Sequence, residues 1–261
     1  MSKFYSFVIP TYNRAHCILN SISSILNQST INYEILIVDD GSTDGTEYII
    51  MNHLHSDKIK YYHYEKNQGA NFAKNLGALK ANGEYLIFLD SDDILASQNS
   101  LRQIEEDLSN SNYPSIAMFA CIDLSQNITI LQKNFKGFVS FNDYFTQKFK
   151  GEYLPVVKKS DFLRINFFVD IIGGEGITWN MITKETGNIF ISNTIVRIYD
   201  NNGTDRLSYF NKKNILRVRN VFIKDLKVSY KDYLKIYKKG FFLVILKIFY
   251  YHVRFFLKNN K

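Results

Sequence analysis

The feature of this chain that most constrains its fold is an alternation, from residue 4 to about residue 121, of short apolar runs with segments of helical periodicity. Such an alternation is the pattern of βα units that build a parallel sheet. The apolar runs predict strands at Phe4–Ile9, Glu34–Val38, Ile59–Tyr64, Tyr85–Leu89 and Ile116–Cys121. Apolar residues at helical spacing predict helices over 18–28, Thr46–Leu54, Ala70–Ala81 and Asn99–Leu108. The sequence therefore predicts an α/β fold with an open, mostly parallel sheet flanked by helices.

Beyond residue 121 the periodic pattern is weaker. Strands are predicted at Asn127–Leu131 and Ile189–Ile198, and a glycine-rich turn is predicted at Gly173–Gly176. Helices are predicted at Phe141–Phe149, Asp161–Asn166 and Thr178–Lys184. The sequence has no internal repeat and no linker rich in Pro, Gly or Ser, so no second independent domain is expected.

The composition indicates a folded protein with anionic partners. Hydrophobic residues make up 46% and charged residues 22% of the 261 residues, which is ordinary for a globular domain. The formal net charge of +7 favours nucleotides, nucleic acid or an acidic membrane surface. Cys17 and Cys121 lack metal-ligand spacing and are too few for a disulfide framework, so a reducing compartment is expected. The N-terminal residues lack a signal-peptide pattern, which also favours the cytoplasm.

Polar turns follow three of the predicted strands at the point where each strand ends. The first turn holds Pro10, Thr11, Tyr12, Asn13 and Arg14, the second runs from Asp39 to Gly45, and the third holds Asp90, Ser91, Asp92 and Asp93. In open α/β sheets, ligands bind beyond the carboxyl ends of the strands. The three turns are therefore expected to gather at one ligand-binding edge of the sheet.

The third turn carries three carboxylates within four residues, at Asp90, Asp92 and Asp93. Carboxylates this close repel one another, and a cation reduces the cost of placing them at a sheet edge. Oxygen ligands suit a hard ion such as Mg²⁺ or Mn²⁺, which is commonly held by one or two carboxylates together with substrate phosphates. The alternative is a solvated acidic turn in which Asp93 caps the next helix.

The second turn and the segment that follows the third strand each allow two interpretations. Asp39 and Asp40 could hydrogen-bond a base or a ribose, or the turn could hold only capping residues. Further on, Gly69 opens a predicted helix with a polar face, which could contact a ligand or simply be solvated; that face comprises Asn67, Asn71, Lys74 and Asn75. Neither G-x-G-x-x-G nor G-x-x-x-x-G-K-[ST] is present, which argues against ordinary Rossmann and P-loop sites.

Four motifs in order resemble those of family 2 glycosyltransferases, which have the GT-A fold. They are Val-Ile-Pro-Thr-Tyr-Asn-Arg at 8–14, Val-Asp-Asp-Gly-Ser-Thr-Asp-Gly-Thr at 38–46, Asn-Gln-Gly…Ala-Lys-Asn-Leu-Gly at 67–77 and Leu-Asp-Ser-Asp-Asp at 89–93. The resemblance covers residues 1–121 well and implies a GT-A-type sheet with a Rossmann-like nucleotide-binding half. Beyond 121 it is weaker.

The resemblance assigns roles to the residues of these motifs. Thr11 and Asp40 would contact the nucleotide base, with Asp39 beside them. Asp90 and Asp92 match the D-x-D pair that holds a divalent metal and the diphosphate. The full set implied to bind the nucleotide sugar is Pro10, Thr11, Tyr12, Arg14, Asp39, Asp40, Asn67, Gly69, Lys74, Asp90, Ser91 and Arg206.

The resemblance also implies a catalytic base for the acceptor hydroxyl. In the family this is an acidic residue, often within a Glu-Asp pair, before a helix that contains Trp; here the stretch 173–179 offers Glu175 without the second carboxylate, and Asp170 is the fallback. The family has a segment that closes over the diphosphate and often contains a histidine. Asp200 stands at that position here and is a candidate metal ligand. The alternative is that this segment is a solvated loop. Arg197 or Arg206 would face the leaving diphosphate.

The activity implied is transfer, with inversion, of a sugar from a nucleotide diphosphate sugar, with UDP-sugar expected and Mn²⁺ or Mg²⁺ as cofactor. The acceptor would be a saccharide or lipid-linked saccharide in bacterial surface polysaccharide synthesis, such as capsule or O-antigen. One alternative is a sugar-phosphate nucleotidylyltransferase, which should show a glycine-rich, arginine-containing loop after the first strand. Another is an inactive nucleotide- or membrane-binding module. A nucleic-acid partner is not expected, because no reading helix or zinc signature is present.

The C-terminal part is predicted to be a basic amphipathic helical extension. Residues 1–220 are assigned to the transferase domain, with 1–121 binding the nucleotide sugar and 122–220 the acceptor, and 221–261 to the tail. On a helix, one stripe would hold Lys247, Tyr251, Arg254 and Lys258, and the opposing stripe Phe241, Ile245, Ile248 and Phe255. Charges interrupt the apolar run, so the tail is expected to lie on the inner face of the cell membrane rather than to span it. The alternatives are packing on the enzyme itself or dimerisation.

Overall fold

The structure, a computed structural model, describes residues 4–30, 32–53, 56–123, 128–129, 134–149, 151–199 and 212–257. The strands in these ranges are β1 (Tyr5–Thr11), β2 (Tyr33–Asp39), β3 (Ile59–His63), β4 (Tyr85–Phe88), β5 (Ile94–Leu95), β6 (Ile116–Asp123), β7 (Ile128–Thr129), β8 (Gly137–Ser140), β9 (Tyr153–Lys158) and β10 (Asn188–Tyr199). The helices are α1 (Ile18–Leu26), α2 (Thr46–His53), α3 (Ala70–Lys80), α4 (Ser100–Asn110), α5 (Phe141–Phe145), α6 (Lys159–Ile165), α7 (Glu175–Thr186), α8 (Lys212–Ile236) and α9 (Lys238–Leu257).

The strands form one mixed sheet in the order β3-β2-β1-β4-β9-β6-β10-β5, with β7 beside β6 and β8 beside β10. Strands β1 to β4 pair in parallel, as do β6 and β10. Strand β9 lies antiparallel between β4 and β6. The predicted sheet was mostly parallel, so β9 makes the observed sheet more mixed than expected and separates β4 from β6.

Helices cover both faces of the sheet, which is why β1 and β2 are buried along their whole length. On one face, Phe7 and Ile9 of β1 belong to the core that α1 and α4 also line. On the other face, Val8 joins the core lined by α3, α6 and α7. Helix α3 lies especially close to β1, because a Cβ at Gly77 would overlap the Val8 side chain.

The observed elements agree closely with the predicted ones over the first half of the chain. Helix α3, for example, was predicted at Ala70–Ala81 and is observed at Ala70–Lys80. In contrast, β5, β8, β9 and the first part of α8 have no counterpart among the predicted elements. Strand β7 covers 128–129 of the strand predicted at Asn127–Leu131, and the rest of that prediction lies outside the described residues.

The C-terminal extension is a pair of helices, α8 and α9, that pack on each other. Helix α8 contacts the core through the Lys184–Asp232 ion pair at 2.7 Å and through the rings of Phe145 and Tyr233, whose centroids are 4.8 Å apart. The predicted boundary between residues 220 and 221 falls inside α8. The extension is therefore helical, as expected, but it begins earlier and part of it lies on the domain.

The two stripes predicted for the tail do not match the observed faces of α9. Ile248 and Tyr251, predicted on opposite stripes, both face α8, where Tyr251 stacks on Phe222 with centroids 5.9 Å apart. The outward face carries exposed apolar side chains, namely Phe242, Leu246, Phe249, Val253 and Phe256. Among the described residues, α9 is also the one helix that is long and apolar enough to cross a membrane by length and composition alone.

Candidate functional site

The first two polar turns lie against each other at the carboxyl edge of the sheet, as the sequence predicts. The backbone N–H of Asp40 donates to the carbonyl of Thr11 at 2.9 Å, which continues the β1–β2 pairing into the turns. The Asn13 side chain accepts from the N–H of Thr43 at 2.8 Å, and the N–H of Asn13 donates to the Ser42 hydroxyl at 2.8 Å. These bonds fix the two turns as one unit.

Asp39 is fully buried and holds the second turn together. One of its oxygens accepts from the N–H of Ser42 at 2.8 Å, and the other accepts from the hydroxyl of Tyr61 at 2.8 Å. Burial, together with this bond to a carboxylate, raises the pKa of Tyr61, so the phenol stays protonated and donates. Tyr61 had no predicted role, since nothing in the spacing of β3 relates it to Asp39.

Asp40 is also buried, and its carboxylate accepts backbone N–H groups at the start of α3. The N–H of Gln68 lies 2.9 and 3.0 Å from its two oxygens, and that of Gly69 lies 2.6 Å from one of them. Burial raises the pKa of Asp40, and the two backbone donors oppose that rise. Gly41 permits this arrangement, because it has φ +86° and a Cβ there would lie 3.2 Å from the N atom of Asn67. Asp40 thus ties the second turn to the third motif.

Thr11 supplies an unsatisfied polar atom beside these carboxylates. Its hydroxyl oxygen is buried and has no hydrogen-bond partner among the described residues. A buried hydroxyl without a partner costs about 1–3 kcal/mol, so such an atom points to a ligand group that would complete it. Next to it, the ring of Tyr12 is 45% exposed and can stack on a planar base. Among the other residues predicted to bind the donor, Pro10 and Ser91 are buried, Arg14 is half-buried and Asn67 is exposed.

Lys74 of α3 connects the third turn with the predicted base. Its ammonium nitrogen lies 3.0 Å from an oxygen of Asp90 and 3.1 Å from an oxygen of Glu175, and its side chain is 8% exposed. Partial desolvation would raise the pKa of Asp90, but the Lys74 charge outweighs it and holds that pKa below its usual value. Likewise burial would lower the pKa of Lys74, and the two carboxylates raise it, so the side chain remains a cation.

Asp93 turns away from this site into a buried ion network. The guanidinium of Arg197, on β10, donates to Asp93 at 2.9 Å, to Glu152 at 2.9 Å and to the sulfur of Cys121 at 3.1 Å. Burial raises the pKa of Asp93, and the Arg197 charge opposes that rise. The expectation that Arg197 faces the diphosphate is corrected, because its guanidinium is engaged inside the protein. The alternative in which Asp93 caps the next helix is also wrong, because Asn99 is the N-cap residue of α4.

Asp90 and Asp92 are the residues predicted to hold a divalent cation. The Asp90 side chain is 50% exposed and Asp92 is exposed at the edge of the turn. Among the described residues, no group of three His, Cys, Asp or Glu side chains is arranged to hold a metal ion. Two carboxylates nevertheless suit Mg²⁺ or Mn²⁺ that arrives with substrate phosphates. Asp200 and Arg206, predicted to complete the site, lie outside the described residues.

Glu175 is the first residue of α7 and follows Gly174, which has the left-handed φ of 81°. Its carboxylate lies close to that of Asp90, because both contact the Lys74 ammonium. Asp170, the fallback base, is 62% exposed and pairs with Lys224 of α8 at 2.8 Å, which lowers its pKa. The geometry therefore places Glu175, rather than Asp170, against the predicted donor carboxylates.

Comparison with known proteins identifies the class that this fold and site define. The model of the family described as Glycosyl transferase family 2 matches residues 6–156, and the chain belongs to that family. A GalNAc(5)-diNAcBac-PP-undecaprenol β-1,3-glucosyltransferase of Campylobacter jejuni is 32% identical over 82% of this chain and 70% of its own length. The β-1,3-glucosyltransferase WfgD of Escherichia coli, which uses UDP-Glc and α-D-GlcNAc-diphosphoundecaprenol, is 39% identical over 41% of this chain and 42% of its own length.

Solved structures share the fold at low sequence identity. TarS of Staphylococcus aureus in complex with UDP-GlcNAc superposes with a TM-score of 0.70 at 18% identity, over 85% of this chain and 66% of that one. The mannosyltransferase PcManGT of Pyrobaculum calidifontis, in complex with GDP-Man and Mn²⁺, gives a TM-score of 0.65 at 16% identity, over 95% of this chain and 74% of that one. These likenesses confirm the predicted GT-A-type fold.

Proposed function

We propose that this glycosyltransferase moves a sugar from a UDP-sugar, with inversion, to a hydroxyl of a lipid-linked saccharide. The observation that carries the proposal is the contact of Lys74 with both Asp90 and Glu175 at 3.0 and 3.1 Å. The Lys74 ammonium thus contacts both a carboxylate of the D-x-D turn and the candidate base. This contact supports a single site in which the proposed donor-binding residues adjoin the proposed base. The Campylobacter and E. coli relatives, both named as β-1,3-glucosyltransferases on undecaprenyl diphosphate saccharides, support UDP-glucose as the first donor to test.

In this mechanism the acceptor oxygen attacks the anomeric carbon as the bond from that carbon to the diphosphate oxygen breaks. Glu175 takes the proton from the acceptor hydroxyl as the new bond forms. Thr11, Tyr12 and the turn ordered by Asp39 and Asp40 hold the nucleoside, and Lys74 keeps positive charge beside the departing diphosphate. Arg206 is proposed to face the same diphosphate.

A divalent cation held by Asp90 and Asp92, with Asp200 as a further candidate ligand, would neutralise charge on the departing UDP. The chain's own part is to present the two carboxylates at the sheet edge, which the Arg197 network beneath the turn supports. Metal dependence is expected for this reason: full chelation should abolish transfer, and Mn²⁺ or Mg²⁺ should restore it.

The test is an assay of UDP release and product formation with UDP-glucose, Mn²⁺ and undecaprenyl diphosphate-linked saccharides. We expect Asp92→Ala to lose activity and to weaken donor binding. Glu175→Gln should keep UDP binding and lose transfer by about 10²–10⁴-fold, because it removes only the base. Glu106→Gln, at an exposed ion pair on α4, is the control and should leave activity unchanged.

The outcomes separate the rival functions. Full activity in Asp92→Ala would contradict the metal assignment, and full activity in Glu175→Gln would contradict the base. Pyrophosphate release from a nucleoside triphosphate and a sugar phosphate would instead indicate a nucleotidylyltransferase. Binding of UDP without turnover of any sugar nucleotide in a panel would indicate an inactive module.

We further propose that the tail attaches the enzyme to the cytoplasmic leaflet, as a peripheral protein. Helix α9 presents a continuous exposed apolar stripe, for which a membrane interface is a suitable environment. Its opposite face is covered by α8 through Val244 and Ile248, so one side of α9 is already engaged with protein. A spanning arrangement would have to break these contacts.

The same proposal assigns residues 1–121 to donor binding and residues 122–220 to acceptor binding.

A further inference from the structure

The segment that leads to Glu175 is held by amide side chains of α3. Between α6 and α7 the chain has no regular helix or strand. Its carbonyl groups therefore need partners from elsewhere. Asn71, which is 4% exposed, donates from its side-chain nitrogen to the carbonyl of Phe168 at 2.8 Å, of Gly173 at 3.0 Å and of Ile171 at 3.3 Å. The two N–H groups of this amide thus contact three carbonyls of the segment, with one hydrogen shared between two of them.

Asn75, one helical turn further along α3, holds the start of the same segment. Its side-chain nitrogen donates to the carbonyl of Phe167 at 2.9 Å, and its oxygen accepts from the N–H of Phe167 at 2.8 Å. These two hydrogen bonds have the same pattern as the paired N–H and C=O groups of two opposite residues in a β-sheet. Phe167 is anchored from the other side by Trp179, with ring centroids 5.1 Å apart.

Helix α3 is itself a rigid support for this segment. Its first turn is bonded to Asp40, and Gly77 brings it against Val8 of the central strand. Lys74, between the two amides on the same helix, contacts Glu175 directly. Three residues of the predicted polar face, Asn71, Lys74 and Asn75, therefore contact the segment that leads to Glu175 or Glu175 itself, whereas Asn67 is exposed.

We infer that Asn71 and Asn75 are positioning residues that fix where the Glu175 carboxylate lies relative to Asp90. The inference rests on the proposed role of Glu175 as the base. A misplacement of a reacting group by about 1 Å can cost about 10²-fold in rate, which is how two residues that touch no substrate would affect transfer. An amide is required at both sites because a carboxylate cannot donate to the carbonyl groups.

The first experiment measures whether the two asparagines act through Glu175. In Asn71→Asp and Asn75→Asp we expect kcat for glucosyl transfer to fall by about 10²-fold, while the Kd for UDP stays within about twofold of wild type. In the Glu175→Gln background, the same substitutions should cause no further loss. Asn52→Asp is the matched control, because it removes an exposed hydrogen bond that a side-chain amide donates on α2, and it should change neither kcat nor the Kd for UDP. An equal loss with Glu175 present or absent would overturn the inference, as would a parallel loss of UDP binding.

The second experiment does not depend on activity. Hydrogen exchange of peptides covering 166–177 should accelerate in Asn71→Asp, while peptides from β1 and β2 exchange as in wild type. Unchanged exchange in 166–177 would overturn the inference even if activity fell. If the wild-type protein transfers no sugar, the proposed function fails, and this measurement still decides whether the amides hold the segment. Asn75→Asp keeps the bond from the N–H of Phe167, so it provides the milder variant should Asn71→Asp not fold.

Discussion

Glu34 is a buried carboxylate in strand β2 that stabilises the fold without belonging to the candidate site. Its side chain is 5% exposed and accepts from the Ser6 hydroxyl at 2.7 Å and from the Lys60 ammonium at 2.7 Å. Asn82 adds a backbone and a side-chain donor to the same carboxylate. Burial alone would raise the pKa of Glu34, but these donors outweigh burial and hold it below its usual value of 4.5. The ionised form is therefore the one that the folded state favours.

Replacing Glu34 by Gln should destabilise the protein at neutral pH by about 2 kcal/mol, because hydrogen bonds to a charged group are lost. Since the folded pKa lies below the unfolded one, the stabilisation is complete above pH 4.5 and is lost as the pH falls through the folded pKa. The difference between wild type and variant should therefore shrink in acid. Urea unfolding at neutral pH and below pH 4.5 measures it. A constant difference at all pH values would contradict the assignment, and Glu106→Gln serves as an exposed control.

The aspartates after the strands show what a sequence can and cannot predict at the scale of residues. Their gathering at one edge follows from the parallel arrangement of the strands, and for the first two turns it is confirmed by the bonds that join them. Their individual partners do not follow from it. Asp39 is bound by Tyr61 and Asp93 by Arg197, residues 22 and 104 positions away in the chain, and no local pattern relates such pairs.

At the scale of elements, Arg197 joins the end of β10 to the turn that carries the D-x-D pair. Arg197 is 4% exposed, and its guanidinium donates to Asp93 and Glu152, whose carboxylates come from different parts of the chain. Removing one partner of a buried ion pair leaves an uncompensated charge, which typically costs about 3–5 kcal/mol. The Asp90–Asp93 turn therefore depends on β10 for its shape.

Arg197→Met should accordingly unfold at a lower urea concentration, with a loss of about 3–5 kcal/mol. Adding Asp93→Asn should recover part of that loss, because the second change removes the carboxylate that the first change leaves without its cationic partner. A double-mutant cycle in urea gives the coupling free energy. Strict additivity of the two changes would show that the pair is not coupled, and Arg102→Met, at an exposed ion pair, should cost far less.

Elements were predictable where the sequence pattern was regular, and they were missed where tertiary contacts override it. Strand β9 was missed because Pro155 argues against a central strand. In the structure Pro155 pairs with Met118 of β6, while the pairing of β9 with β4 has already ended at Val156, so the missing N–H breaks no bond to β4. Helix α8 is an exception to this rule, because Ile215, Phe222 and Leu226 lie at helical spacing and its first part could have been predicted.

At the scale of the whole molecule, the tail is attached to the part of the domain that leads to the candidate base. Val221 of α8 packs under Gly174, since a Cβ at Gly174 would lie 3.2 Å from it. Lys224 pairs with Asp170, which lies four residues before Gly174. A tail that rests on a lipid surface would therefore hold the acceptor half close to that surface, where a lipid-linked saccharide lies.

The outward face of α9 provides the test of this arrangement. Phe242 and Phe249 are 64% and 65% exposed and lie two turns apart on that face. Each phenylalanine moved from water into an apolar environment gains about 1.5–3 kcal/mol, so Phe242→Ser with Phe249→Ser should weaken binding to phosphatidylglycerol vesicles by at least about tenfold. Vesicle co-sedimentation measures this, and the fold should be unaffected because neither side chain is buried.

The matched control is Tyr48→Ser with Met51→Ser, which removes two exposed apolar side chains from α2. Equal losses in both double variants, or no loss in either, would contradict attachment through α9. An alkaline wash of membranes distinguishes a helix that lies on the membrane surface from one that spans the membrane. The wash releases a peripheral protein and leaves a spanning protein in place. Release is expected, since the contacts of Val244 and Tyr251 with α8 keep one face of α9 against the protein and only its opposite face is left for lipid.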